Sequence, residues 1–280
     1  MFFDDYSGSV LALAHRGARS LAPENTLSAA QKALDAGAYA WETDVQMSRD
    51  GHLVLTHDDT LSRVTNVARL ASFAGRKPWR VADFTLEELR SLDFGSFFVD
   101  MDPFEQVAAG LFSDHEIGGF RKMILPTLEE GLRYTREHNF RINVEIKDLH
   151  GTPGHGVVVE KVLDMIRHLD LVDQTLISSF NFDYLHQVQS IMPNMPVAAL
   201  MEAANMGKRD IFQTLMSLGV QAWHPDREIL RSDDLRKALG EGLYVNVWTV
   251  NDPREMRSLV VQGVTGLITD FPQMVRAAAD

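Results

Sequence analysis

Short apolar runs alternate with helix-period stretches along almost the whole chain. SVLALAHRG (9–17) has the character of a buried strand. NTLSAAQKALDAG (25–37) predicts a helix: Asn25 or Thr26 can cap it, Leu27, Ala30 and Leu34 share one face, and Gly37 closes it. YAWETDV (39–45) reads as the next strand. FRINVEIK (140–147), QTLISSF (174–180), PVAALM (196–201), VQAWHP (220–225), LYVNVWTV (243–250) and TGLITD (265–270) continue the series. Amphipathic stretches such as VVVEKVLDMIRHL and PREMRSLVVQG lie between them. Such alternation predicts parallel strands joined by helical crossovers.

One strand is different. HLVLTHD (52–58) follows Val45 after a short connection tipped by Asp50-Gly51, a hairpin turn pair. Parallel neighbours need a crossover of about a dozen residues or more, so this segment returns antiparallel. Removing the hairpin leaves eight parallel strands, the number that closes a TIM (β/α)8 barrel. A doubly wound open sheet is the alternative, but no G-x-G-x-x-G follows the first strand.

Residues 67–121 break the rhythm. They hold 8 of the 15 phenylalanines and Trp79, with one clear helix, TLEELRSL, opened by a Thr85/Glu88 capping box. A second box, Thr127/Glu130, restarts regular helix at PTLEEGLRYTREH. This Phe-rich insertion is expected to form a small cap subdomain, as a lid over the barrel mouth or as a self-packed shield of its rim, within a single domain spanning 1–280.

Composition narrows the function. The net charge of −12 argues against a nucleic-acid or anionic-membrane partner. No apolar run approaches the ~18 residues of a membrane helix, so no integral membrane segment is expected. MFFDDYSGSVLALAHRG lacks the basic start and small-residue cleavage site of a secretory signal. The absence of cysteine is compatible with the cytoplasm, the expected location. An anionic substrate would require local positive charge to overrule the global field.

The chemistry gathers at C-terminal strand ends. In AWETDVQMSRDGHLVLTHDD (40–59), Glu42 and Asp44 point to one side of a strand, and the hairpin returns His57 beside them, with Asp58 directly after it. Two buried carboxylates side by side resist joint ionisation unless something positive stands between them. His15-Arg16 ends the first strand; Glu145 and Lys147 share a face of the third, and Asn246 and Trp248 a face of the seventh. Glu42, Asp44 and Glu145 offer oxygen-only ligation, which suits one divalent cation, Mg²⁺ or Ca²⁺. Arg16 and Lys147 supply fixed positive charge for phosphate oxygens, and His15 and His57 can exchange protons near neutral pH. Any one of these residues alone would be ordinary surface or core. Together they are equipment for cleaving a phosphodiester. His52, His115, His138, His150, His155, His168 and His186 are assigned no role, and His224 only reaches toward the rim.

At these residues the chain resembles the glycerophosphodiester phosphodiesterase family, whose pattern is HRG, PENT, E-x-D, then HD followed by R-x-T. All four stand in order between residues 15 and 65, and LPTLEEGL, NVEIK, SSF, VNVWTVN and GLITDFP follow, so that the likeness covers about residues 11–272. The resemblance implies a TIM barrel with an inserted cap and metal-dependent hydrolysis of a glycerophosphodiester, a small-molecule substrate, to sn-glycerol 3-phosphate and an alcohol. It implies His15 and His57 as the acid–base pair, Arg16 and Lys147 as phosphate contacts and Trp248 as a substrate-packing residue. It implies Glu42, Asp44 and Glu145 as metal ligands, with Glu24 and Asn25 in support; Asp58 after His57 and Asn246 before Trp248 are expected to support the site as well. It further implies a mechanism in which the glycerol 2-hydroxyl can attack phosphorus first, giving a cyclic phosphate that water then opens. Val64, and Thr265 before Gly266, depart from the family pattern, and the segments 67–80 and 97–121 are longer than usual. Two rivals remain: a lysophospholipase D-like enzyme whose Phe-rich insertion binds an acyl chain, and a non-catalytic sugar-phosphate-binding barrel. A zinc amidohydrolase fits less well, since those sites favour histidine ligands. Head-group preference and the choice between monomer and homodimer stay open.

Overall fold

The computed structural model describes residues 1–207 and 209–279. Nine strands form one sheet: β1 (Leu11–Ala14), β2 (Ala40–Met47), β3 (Leu53–Leu55), β4 (Arg141–Ile146), β5 (Thr175–Ser179), β6 (Val197–Met201), β7 (Ala222–Pro225), β8 (Tyr244–Val247) and β9 (Gly266–Thr269). Eight are parallel, and β1 pairs with both β2 and β9, which closes the barrel. The ninth, β3, is the antiparallel return on β2, with Val45 opposite Leu55. Strands β2, β5, β6 and β7 are buried along their whole length, the pattern of strands covered on both faces.

Helix α1 (Leu27–Asp35) crosses from β1 to β2. The insertion after β3 carries three 3₁₀ turns and the helices α2 (Leu86–Arg90), α3 (Ser96–Met101) and α4 (Asp114–Phe120). The later crossovers are α5 (Leu128–Glu137), α6 (Val158–His168), α7 (Phe182–Ile191), α8 (Ala203–Met206), α9 (Ile211–Leu218), α10 (Ser232–Gly240) and α11 (Pro253–Gln262), and α12 (Val275–Ala279) ends the chain's described part. Both expected capping boxes form. A third, Ser113/Glu116, opens α4, so the insertion holds more helix than the one segment its sequence made plain. No helix of the described residues is long and apolar enough to cross a membrane.

The barrel interior is apolar at its lower end, where Leu11, Leu13, Ala40, Leu176, Ala198, Ala222 and Ile268 cluster with Phe2 and Phe3. Phe3 stacks on Tyr244 at 3.9 Å between centroids, and Phe2 meets Tyr39 edge-on at 5.7 Å. Tyr244 starts β8 and Tyr39 precedes β2, so the N-terminal segment stoppers the barrel at the N-terminal ends of its strands. The insertion has cores of its own. Phe73, Trp79, Phe84, Leu89 and Phe94 surround Val54 of the hairpin, while Phe98, Phe112 and Phe120 close on Ala22 and Ala29 beside α1.

Candidate active site

A cavity of about 360 Å³ opens at the C-terminal end of the barrel. His15, Arg16, Glu42, His57, Glu145, Lys147 and Trp248 line it, together with Phe180 and Glu202, which the sequence reading had left aside.

The turn after β1 places His15 and Arg16. Arg16 has φ +54° and Gly17 φ +79°, a left-handed pair that doubles the chain back toward α1. A Cβ on Gly17 would stand 2.5 Å from Ala29 Cβ and 2.6 Å from its backbone carbon, so only glycine fits there. Arg16 is then anchored twice: its backbone N–H donates to Glu42 Oε2 at 2.7 Å, and Nη1 donates to Glu24 Oε1 at 2.8 Å. Thr26, not Asn25, caps α1, its hydroxyl accepting from the Ala29 N–H. Asn25 is thereby released to the site, in a left-handed conformation (φ +57°). Its Nδ2 donates to Asp44 Oδ2 at 2.9 Å, and its Oδ1 accepts from the Asp44 N–H and the Thr43 hydroxyl.

The register of β2 on β4 sets Asp44 directly opposite Glu145. Glu42, Asp44 and Glu145 each present an oxygen, all within 4.8 Å of one another, and all three are buried. Glu42 Oε1 is buried without a hydrogen-bond partner among the described residues. Burial, with Asp44 and Glu145 beside it, pushes the Glu42 carboxyl well above its ordinary range. Burial acts on Asp44 too, but Lys147, His57 and Arg16, with the Asn25 hydrogen bond, outweigh it and hold Asp44 low. An orphaned carboxylate oxygen facing two more acids is the donor set a hard divalent cation requires. Lys147 Nζ lies 2.6 Å from Glu145 Oε1 and 3.5 Å from Asp44 Oδ1, so its ammonium stays charged despite burial.

Each histidine has its own carboxylate. His15 Nδ1 lies 2.8 Å from Asp270 Oδ1, and His57 Nδ1 lies 2.7 Å from Asp58 Oδ1. Both pairings occupy Nδ1 and leave Nε2 as the nitrogen available for proton exchange. Burial and the Arg16 charge push His15 below its ordinary value, against the pull of Asp270. The two pairs are linked through the supporting residues: Arg63 bridges Asp58 and Glu24, and Arg19 reaches both Glu24 (2.9 Å) and Asp270 (3.5 Å).

Of the residues read from sequence, Glu24, Asn25 and Asp58 join this network. Trp248 stands across the cavity from it, one residue past β8, its indole N–H donating to the His224 carbonyl. Asn246 reaches neither acid nor histidine of the site; its amide pairs with His224 Nε2 at 3.0 Å inside the barrel. His224 is wholly buried and lines the cavity floor, and burial pushes its pKa down to about 3. Asp270, Arg63 and Arg19 were missed. Asp270 had a signal: barrel closure brings the end of β9 beside the end of β1, where His15 stands.

Comparison with known proteins agrees in extent and kind. The model of the glycerophosphoryl diester phosphodiesterase family matches residues 15–274. A glycerophosphodiester phosphodiesterase of Caldanaerobacter subterraneus is 30% identical over 94% of this chain and 95% of its own length. One from Bacillus subtilis is 30% identical over 95% of this chain and 85% of its own. The solved structure of an Oleispira antarctica phosphodiesterase, in complex with the product sn-glycerol-3-phosphate, superposes with a TM-score of 0.75 at 25% identity, covering 98% of both chains.

Proposed function

From the premise that this chain belongs to the glycerophosphoryl diester phosphodiesterase family and is such an enzyme, we propose how its residues divide the work. The reaction is hydrolysis of a glycerophosphodiester to sn-glycerol 3-phosphate and an alcohol, the product held by the Oleispira antarctica relative. The observation that carries this reading is the pairing of two histidines with two aspartates around one cavity lined by two cations and by Glu42 and Glu145 of the three-acid cluster.

Arg16 and Lys147 draw the phosphate of the diester to the acid cluster and screen it from the negative exterior. Glu42, Asp44 and Glu145 would hold one divalent cation, Mg²⁺ or Ca²⁺, which when bound stabilises charge on the non-bridging phosphate oxygens. One histidine takes the proton of the attacking hydroxyl through Nε2 while the other gives a proton to the departing alcohol. Asp270 and Asp58 hold the two rings in the required tautomer and steady each imidazolium as it forms. When the glycerol 2-hydroxyl is the nucleophile, the alcohol leaves first, the two histidines exchange roles, and water opens the cyclic phosphate. A binding barrel has no use for two oriented imidazoles. The insertion's rings support no acyl-chain role: its buried phenylalanines fill their own cores, Phe104 packs on Phe271 and Arg19, and among the described residues none from 67–121 lines the cavity.

The test is release of glycerol 3-phosphate from glycerophosphocholine, glycerophosphoethanolamine and glycerophosphoglycerol, with EDTA or with added Mg²⁺ or Ca²⁺. Metal-dependent release supports the reading. Absence of release from all three, with metal and folded protein, sinks it.

A further inference from the structure

The cavity is built for an anion on one side only. Around the closed barrel, β8 stands diametrically opposite β4, so Trp248 faces the side that carries Glu145 and Lys147. Glu202, just past β6, stands opposite β1, which carries His15 and Arg16. Among the described residues no lysine, arginine or histidine lies within ion-pair distance of the Glu202 carboxylate. An acid in the wall of a phosphate-binding cavity repels its ligand unless another part of that ligand is positive.

The aromatic groups that line the cavity with Glu202 suit that positive part. Trp248 is locked by its N–H bond to the His224 carbonyl at 2.8 Å, and Phe180 meets it at 90° with centroids 5.4 Å apart. Phe180 already has one cation near it, the Lys147 ammonium at 5.8 Å, whose charge is held by Glu145 and Asp44. A fixed indole and a carboxylate lining one cavity can offer an ammonium both ring quadrupole and counter-charge. We propose that Glu202 and Trp248, braced by Phe180, receive the ammonium of the leaving alcohol, so that the enzyme prefers amino-alcohol head groups of the ethanolamine and choline type over neutral polyols. This rests on the diesterase reading above and adds its substrate class.

The experiment compares kcat/KM for glycerophosphocholine and glycerophosphoethanolamine with that for glycerophosphoglycerol, whose head group is uncharged, in wild type, Glu202→Gln and Glu202→Lys. The wild type should favour the ammonium substrates by roughly tenfold, the range of a partly desolvated cation–π contact with its counter-ion. Glu202→Gln should shrink that ratio several-fold through KM, and Glu202→Lys should invert it. Equal wild-type preference, or equal loss on all three substrates in Glu202→Gln, would overturn the proposal, the second outcome moving this wall to the glycerol common to all. Calorimetric binding of tetramethylammonium, expected for wild type and lost in Glu202→Lys, tests the site without turnover. It therefore separates a failed ammonium site from a failed diesterase assignment.

Discussion

Arg63 clasps Glu24 with both terminal nitrogens, at 2.8 and 2.7 Å, while its Nε reaches Asp58 at 2.7 Å. One guanidinium thus fixes a buried glutamate and the aspartate that orients His57. Burial alone would raise Glu24, but Arg63 with Arg16 and Arg19 outweighs it and holds the carboxyl well below its ordinary range. Arg63→Ala leaves both acids short of a partner. Two arginines remain on Glu24, so the expected cost is about 1–3 kcal/mol, less than for an isolated buried pair. Urea unfolding measures it. The same variant should lower kcat more than it raises KM, since it loosens a ring rather than a substrate contact.

His15→Ala and His57→Ala should each lower kcat by a factor on the order of 10²–10⁴, the usual worth of a positioned acid or base, with an unchanged fold by circular dichroism. Turnover near that of the wild type in either variant removes that ring from proton transfer.

Glu42→Gln should have opposite effects with and without metal. The folded carboxyl sits well above its ordinary value, so its contribution is favourable only below that value and is lost as pH rises through the folded one. At neutral pH in EDTA, the neutral isostere relieves repulsion with Asp44 and Glu145 and should raise Tm by about 2–4 °C, equivalent to roughly 1 kcal/mol. With saturating Mg²⁺ or Ca²⁺ the wild type should gain about 2.7 kcal/mol at a hundredfold excess over Kd, and the variant much less. A melting temperature indifferent to metal in the wild type would remove the cation from this cluster.

Asp270 predicts an acid limb of stability. Burial would raise it, but the His15 hydrogen bond and charge, with Arg19 and Asn251, bring it from 3.8 down to about 2. Its contribution, about 2 kcal/mol, is complete above the unfolded value and disappears as pH falls from about 4 toward 2. Asp270→Asn should be less stable at neutral pH and should show a flatter decline over that window, read from urea midpoints against pH.

Gly17→Ala should misplace the site from outside it. The added methyl meets Ala29 at 2.5 Å in a conformation that disfavours any side chain. An expected loss of about 1–3 kcal/mol should come with a fall in activity, because His15 and Arg16 ride on the same turn.

The fold was legible because each barrel strand is a short apolar run and Asp50-Gly51 marks the one hairpin. Most of the cavity was legible for the same reason, since the barrel sends alternate residues at strand ends to a shared mouth. Asp270 was hidden by its distance along the chain from His15, although both end neighbouring strands. Arg63 was hidden because its partners depend on how the loop after β3 folds. Glu202 and Phe180 sit just past β6 and β5, whose sequences, VAALM and TLISS, carry no charged or ring-bearing side chain that would mark a site. The insertion's rings announced burial but not location, and no periodicity tells Phe98 that its neighbours are Ala22 and Ala29.

With Phe2 and Phe3 stoppering its lower end, the barrel opens, among the described residues, through the cavity that His15, Glu145 and Trp248 line. If the leaving alcohol occupies that cavity, water reaches the phosphate from the same side. Free alcohols at high concentration would then queue with water for the same vacated place, and the enzyme's choice between hydrolysis and re-esterification becomes a matter of traffic at one threshold.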